Sequence, residues 1–294
     1  MCHPVPFEIE TTSATWSTSQ RWSAQDDVAQ AILRKVPMLK SIALMVLPNR
    51  ILKFLKQIHY FHELKRFSER DEPDLLVVKK LVRPEDHVVD VGANVGWYTR
   101  VLAESVGSGG RVYSIEPIGE TFEILSYCIH RLGLGNVDLL HSGISEEDGE
   151  AVMEIPSFNK GGDNFYRAKI VSGLNPCEVN RQVQVRLTTL DKVLGGSKNP
   201  ITFIKCDVEG HELAVVRGAR ALIERFMPAW LIEVSQDPDE PGTPSHELFS
   251  ILYSYGYSAF WFNGSHLVER APKDKSINYF FLKPGQRSAF RDSQ

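Results

Sequence analysis

Two short stretches gather the residue types that chemistry needs. The first, H-V-V-D-V-G-A-N-V-G over residues 87–96, ends an apolar run in D-x-G-x-x-x-G just ahead of a helical pattern. Gly92 and Gly96, with Asn94 between them, let the chain turn sharply and come close to a ligand, and the following helix offers N–H groups at its start. A nucleoside cofactor fits over such a turn. The spacing is not the G-x-G-x-x-G of dinucleotide enzymes, and Asp90 at the strand end would repel a pyrophosphate. The same carboxylate suits the ammonium and sulfonium charges of S-adenosylmethionine. Glu116, in S-I-E-P after the next strand, stands where such folds set an acid to accept hydrogen bonds from both ribose hydroxyls.

The second stretch, F-I-K-C-D-V-E-G-H-E over residues 203–212, brings Asp207, Glu209, His211 and Glu212 to the carboxyl end of an apolar strand. That edge is where open α/β sheets bind ligands, so these groups point to acceptor binding or proton removal. Asp207 and Glu209 leave the strand directly and are the first candidates for a base, with His211 beside them. A plainer reading has Lys205 neutralising one carboxylate and Glu212 opening the next helix, where acids favour the dipole. The spacing matches no oxygen-ligand loop, and His59 and His62 lack H-E-x-x-H spacing, so no metal is expected.

The elements that must position these groups alternate in type from residue 72 onward. Helices are expected at 74–82, 97–105, 122–132, 213–226 and 246–255, and strands at 88–91, 112–115, 137–140, 201–206 and 230–234. Such βαβ alternation builds a mostly parallel sheet with helices on both faces. Residues 142–190, rich in Gly, Asn and Ser, break it and read as a loop and strand insertion. Aromatic segments at 257–262 and 279–282, around the turn Asn263-Gly264, read as a terminal hairpin.

Ahead of this domain lie a polar tail, 1–27, and a basic amphipathic extension, 28–70, in which Ile51, Leu52, Phe54, Leu55, Ile58, Tyr60, Phe61 and Leu64 recur at helical spacing among lysines. That helix either packs on the domain or lies on a membrane surface or a partner through its segment 50–66. The domain itself is expected over 71–283, with a tail at 284–294.

In this order, D-V-G-A-N-V-G, S-I-E-P, L-T-T-L-D-K-V-L, F-I-K-C-D-V-E-G-H-E and P-A-W-L-I-E-V resemble the FkbM family of methyltransferases. The resemblance spans about residues 72–282. It implies a class I methyltransferase fold, Rossmann-like, with a seven-stranded sheet, S-adenosylmethionine as donor, and a hydroxyl acceptor on a sugar, polyketide or related metabolite. It also implies that Asp90, Gly92, Asn94, Gly96 and Glu116 bind cofactor, with Ser142 and Gly143 near the adenine, although no acid follows the third strand there.

The bulk properties agree with an enzyme of small molecules or glycans. With 294 residues, 43% of them hydrophobic, the chain can bury a large core, and a net charge of −4 gives no general reason to bind nucleic acid. Four scattered cysteines suggest neither zinc nor a disulfide framework, and no secretory signal or membrane span is read, so the cytosol is the expected compartment. Oligomeric state is not legible. Competing readings are a nucleotide-dependent oxidoreductase and a silent methyltransferase-like module that docks on a membrane or partner. Phe158, Phe165, Tyr166 and Trp261 are candidate stacking faces for the acceptor.

Overall fold

The computed structural model describes residues 48–157, 163–171 and 180–287. The expected N-terminal tail, the first part of the basic extension and Phe158 lie outside the described residues.

In chain order the elements are α1 (Asn49–Arg66), α2 (Leu75–Leu81), β1 (His87–Val91), α3 (Trp97–Val106), β2 (Arg111–Ile115), α4 (Gly119–Leu132) and β3 (Val137–Leu140). Next come β4 (Gly143–Ile144), β5 (Gly149–Ile155), β6 (Lys169–Val171), β7 (Arg181–Thr188), α5 (Leu190–Leu194) and β8 (Ile201–Cys206). The chain continues with α6 (Glu212–Arg217), α7 (Arg220–Phe226), β9 (Ala229–Glu233), α8 (Pro244–Ser254), β10 (Ser258–Phe262), β11 (Leu267–Glu269), β12 (Asn278–Leu282) and α9 (Pro284–Arg287). The last of these extends helix into the segment expected to be tail.

The main sheet runs β11-β10-β12-β9-β8-β1-β2-β3, with the five strands from β9 to β3 parallel and β12 antiparallel to β9. Because side chains alternate across a strand, Val88, Phe203 and Leu231 fill one core with α2 and α3. Val89, Ile204 and Trp230 fill the other with α5 to α8. Burial on both faces is why these strands read as nearly continuous apolar runs.

Three expectations change. The sheet has eight strands rather than seven, because the turn at Asn263-Gly264 joins β10 to the short β11, not to β12; β12 pairs with the opposite side of β10. Period-2 patterning marks both segments as strands but does not say which edge each one takes. The helix expected over 213–226 is two helices, parted at Gly218. A β-carbon there would lie 2.0 Å from the Ser145 carbonyl oxygen, so the glycine lets the strand that follows β3 press on the break. The described residues of the insertion form a second sheet, β4-β7-β5-β6, with its own core of Ile118, Met153, Ile155, Ala168 and Val185.

Candidate functional site

The chain lays down β1, β2 and β3 outward in one direction and then returns to place β8 on the other side of β1. A crevice opens at the carboxyl ends of strands where order reverses in this way, and ligands bind there. Here a cleft occupies it, lined by the turns after β1, β2, β3 and β8, by Glu233 at the end of β9, and by one face of the second sheet.

Gly92 and Asn94 line the cleft on the β1 side, both at positive φ, 76° and 51°. The N–H groups of Gly92 and Ala93 both donate to the Ile115 carbonyl, that of Gly96 to Ala93, and that of Asn94 to Glu116 Oε2 at 2.9 Å. Four of the turn's N–H groups are therefore spent on the protein, unlike those of a phosphate-cradling loop, which leaves them for the anion. Gly96 is not in the cleft wall. It caps α3 at φ 104°, where a β-carbon would meet Leu125 at 2.8 Å, so the glycine serves packing.

Asp90 also departs from the sequence reading. It is completely buried below the turn and forms no part of the cleft wall. Its Oδ2 accepts from the Thr99 hydroxyl at 2.6 Å, and Lys205 Nζ lies 3.8 Å from its Oδ1. Burial raises its pKa, against the pull of Lys205 and Thr99. As placed, this carboxylate holds β1, α3 and β8 together and does not reach a ligand.

Glu116 lines the cleft but is 5% exposed. Its Oε1 accepts from Ile118 N–H at 2.9 Å and from the Thr121 hydroxyl at 2.7 Å, and its Oε2 from Asn94. Of roughly four lone-pair sites on a carboxylate, three are taken. A grip on both ribose hydroxyls narrows to one accepted hydrogen bond. Burial raises the Glu116 pKa, and these three hydrogen bonds oppose it. Ser142 and Gly143 line the cleft after β3. The Ser142 hydroxyl is turned to the Gly143 and Arg186 carbonyls, both at 3.1 Å.

Across the cleft, β8 delivers Asp207, Glu209 and His211, as expected, and β9 adds Glu233. Carboxylate oxygens of Asp207, Glu209 and Glu233 all lie within 4.8 Å of one another, close enough to share a proton or to hold a cation. The buried Lys205 ammonium, 3.2 Å from Asp207 Oδ2 and 5.2 Å from the Tyr98 ring centre, already supplies positive charge there. Burial pulls the Lys205 pKa down, and Asp207, Asp90 and Glu233 together more than offset it, leaving it above the ordinary lysine range. Burial, with Asp207 and Glu212 beside it, pushes Glu209 up to about 8. Burial and the neighbouring Asp207 and Glu209 carboxylates raise Glu233 well above the usual range.

His211 Nε2 lies 2.9 Å from Ser145 Oγ, and burial lowers its pKa. Glu212 is structural: its Oε1 accepts from the N–H groups of Val208 and Gly210, which ties the loop closed. The sequence reading does not include Glu233, which ends the strand of L-I-E-V. A strand-end carboxylate next to β8 carried the same signal as Asp207.

Three further walls matter. Phe165 and Tyr166, on a single 3-10 turn (Phe165–Arg167) ahead of β6, line the cleft, whereas Trp261 packs on the core with its indole N–H toward Asp274 at 3.4 Å. Phe67, which closes α1, also lines the cleft and meets the Trp97 ring at 5.1 Å.

The geometry suits a nucleoside cofactor that brings no phosphate. Four N–H groups of the glycine turn are used internally, Asn94 Oδ1 is buried beside the cleft with no hydrogen-bond partner, and apolar side chains such as Ile115, Ile118 and Ile144 line the walls. One family comparison points the same way. A model of the methyltransferase FkbM domain matches residues 90–259, more than half of the chain. A protein-L-isoaspartate O-methyltransferase of Aeropyrum pernix is 30% identical over 153 residues, 45% of this chain and 58% of that protein. The chain thus spans little more than half the length of that relative. Among solved structures, the methyltransferase FkbM of Methylobacillus flagellatus KT aligns at 18% identity and a TM-score of 0.43, covering 86% of this chain and 60% of the other. A SAM-dependent methyltransferase of Aquifex aeolicus aligns at 17% identity and a TM-score of 0.39, over 76% of this chain and 98% of that one.

Proposed function

Since the chain belongs to the FkbM methyltransferase family, we propose that it uses S-adenosylmethionine to methylate a hydroxyl oxygen on a small metabolite or glycan. The observation that carries this reading is the meeting of Asp207, Glu209 and Glu233 in the cleft that also holds Asn94 and Glu116. One side offers a nucleoside seat and the other a set of proton acceptors.

Asn94, Glu116, Ser142 and Gly143 would hold the cofactor, with apolar faces from Ile115, Ile118 and Ile144. When bound, S-adenosylmethionine supplies an electrophilic methyl carbon attached to a sulfonium sulfur. The protein's share of the work is to hold the acceptor oxygen in line with that carbon and to take its proton. Glu209 is the assigned base, because a group with its pKa near 8 is best matched to operation near neutrality. Asp207, pinned by Lys205, and Glu233 orient the acceptor and share the released proton. The aromatic faces of Phe165 and Tyr166 suit a sugar or other ring-bearing acceptor.

Calorimetric titration with S-adenosylhomocysteine tests the cofactor half of this reading. Saturable binding by the parent, weakened at least about tenfold in Asn94→Ala and Glu116→Ala through lost polar contacts, is expected. A folded parent that does not bind would end the reading. Labelled donor and a panel of hydroxylated acceptors then test the base: Glu209→Gln should lose about 100-fold or more in turnover with cofactor binding intact.

A further inference from the structure

The first described helix grows out of a segment of one charge sign. Between Asp27 and Glu63 the sequence holds six basic residues, Arg34, Lys35, Lys40, Arg50, Lys53 and Lys56, and no acidic one, in a chain whose net charge is −4. The two halves of α1 differ. Leu64 in its C-terminal half is fully buried, and Tyr60 and Phe61 pack on the core. The N-terminal half stands in solvent, with Ile51 43% exposed, Phe54 52% and Leu55 49%. These residues are spaced i, i+3 and i+4, which puts them on one side of the helix. Among the described residues they make up half of the exposed large apolar side chains, all within little more than one turn.

Exposed Arg50 and Lys56 flank this patch. The carboxylates nearby on α4 are already engaged, Glu123 by Lys53 and Glu120 by Arg181. A cationic segment around an apolar stripe matches a surface that is negatively charged outside and apolar beneath. A second copy of this chain would bring the same positive charges to the contact. Residues 28–47 of this chain would add Arg34, Lys35 and Lys40 to it. Both alternatives set like charge against like.

We propose that the N-terminal half of α1 docks the protein on an anionic lipid bilayer, Ile51, Phe54 and Leu55 entering the boundary below the headgroups while Arg50 and Lys56 meet lipid phosphates. Docking there sets the membrane beside the cleft. The Lys56 ammonium lies 5.9 Å from the ring centre of Phe165, and Phe165 and Phe67, at the far end of α1, both line the cleft wall. The proposal goes beyond methyl transfer and does not depend on it.

The experiment is co-sedimentation of the full chain with vesicles of phosphatidylcholine alone and of phosphatidylcholine and phosphatidylglycerol in equal parts. Partitioning should be about tenfold stronger or more on the anionic vesicles and should fall as salt is raised. The variant Ile51→Ser/Phe54→Ser/Leu55→Ser and, separately, Arg50→Glu/Lys56→Glu should each lose about tenfold of that partitioning. All five side chains are exposed, so both variants should melt like the parent and bind S-adenosylhomocysteine equally well. Equal partitioning on the two vesicle types, or unchanged binding by both variants, would overturn the proposal. So would a drop in the solution mass of the parent on making the serine variant, which would assign the patch to a second copy. Because vesicle binding and cofactor binding are read separately, failure of one leaves the other standing.

Discussion

Gly92 and Asp207 touch through their backbones: a β-carbon built on Gly92 would sit 1.9 Å from the Asp207 carbonyl oxygen. The glycine of the turn after β1 is thus a fitting for the end of β8 as well. Asp207 N–H also donates to the Val91 carbonyl at 3.2 Å, so the last residues of β1 and β8 are locked in register.

Gly92→Ala should therefore damage both halves of the site at once. The methyl group would displace backbone, which cannot swing aside as a side-chain tip can, and φ of 76° adds strain. A loss of about 2 to 4 kcal/mol in stability is expected, with weaker S-adenosylhomocysteine binding in the folded fraction. Denaturant melts and calorimetry on the same preparation measure the two effects. A variant with parental stability and binding would show that the contact between the two motifs has room to relax.

Asp90→Asn separates a structural carboxylate from a ligand-binding one. Removing the charge of a completely buried residue that pairs with Lys205 and Thr99 should cost about 3 kcal/mol, or roughly 5 to 10 °C in melting temperature for a domain of this size. Cofactor affinity should stay within about threefold of the parent, since Asp90 is absent from the cleft wall. Unchanged melting together with abolished binding would return Asp90 to the role its sequence position suggests.

Much of this was legible from pattern. The parallel strands fell within a residue or so of their places because burial on both faces writes itself as apolar runs, as in Val88 to Val91 and in β8. The depth at which a strand-end residue stands was not legible. Asp90 and Glu116 read alike as acids at the ends of adjacent strands. Asp90 is level with Ser114, two residues short of Glu116 on the same face, so one lies under the turn and the other in the wall. The break at Gly218 and the partner of β12 depend on the Ser145 carbonyl and on β9, residues distant in sequence that no local period encodes.

The carboxylate cluster makes rate and stability respond to pH in opposite senses. Glu209 has its ordinary value of 4.5 in the unfolded chain and about 8 in the folded one, and Glu233 is raised as well, in both cases chiefly by burial. The folded state therefore holds protons that the unfolded state has released. The stability this confers is fully present below about pH 4.5 and is lost as pH rises through about 8. A base must be deprotonated to act, so turnover should climb over the upper part of the same window and level off above it. His211, whose pKa is lowered by burial, contributes to stability in the opposite sense, because there the unfolded state holds the proton that the folded state has released. Melting temperature should fall by several degrees between about pH 6 and 9 while the rate rises. Glu209→Gln should flatten the melting profile and remove the rising limb of the residual rate. If melting in that variant keeps the parental slope, Glu233 alone carries the proton. The base would then have to be sought there, with Glu233→Gln as the variant that shifts both curves.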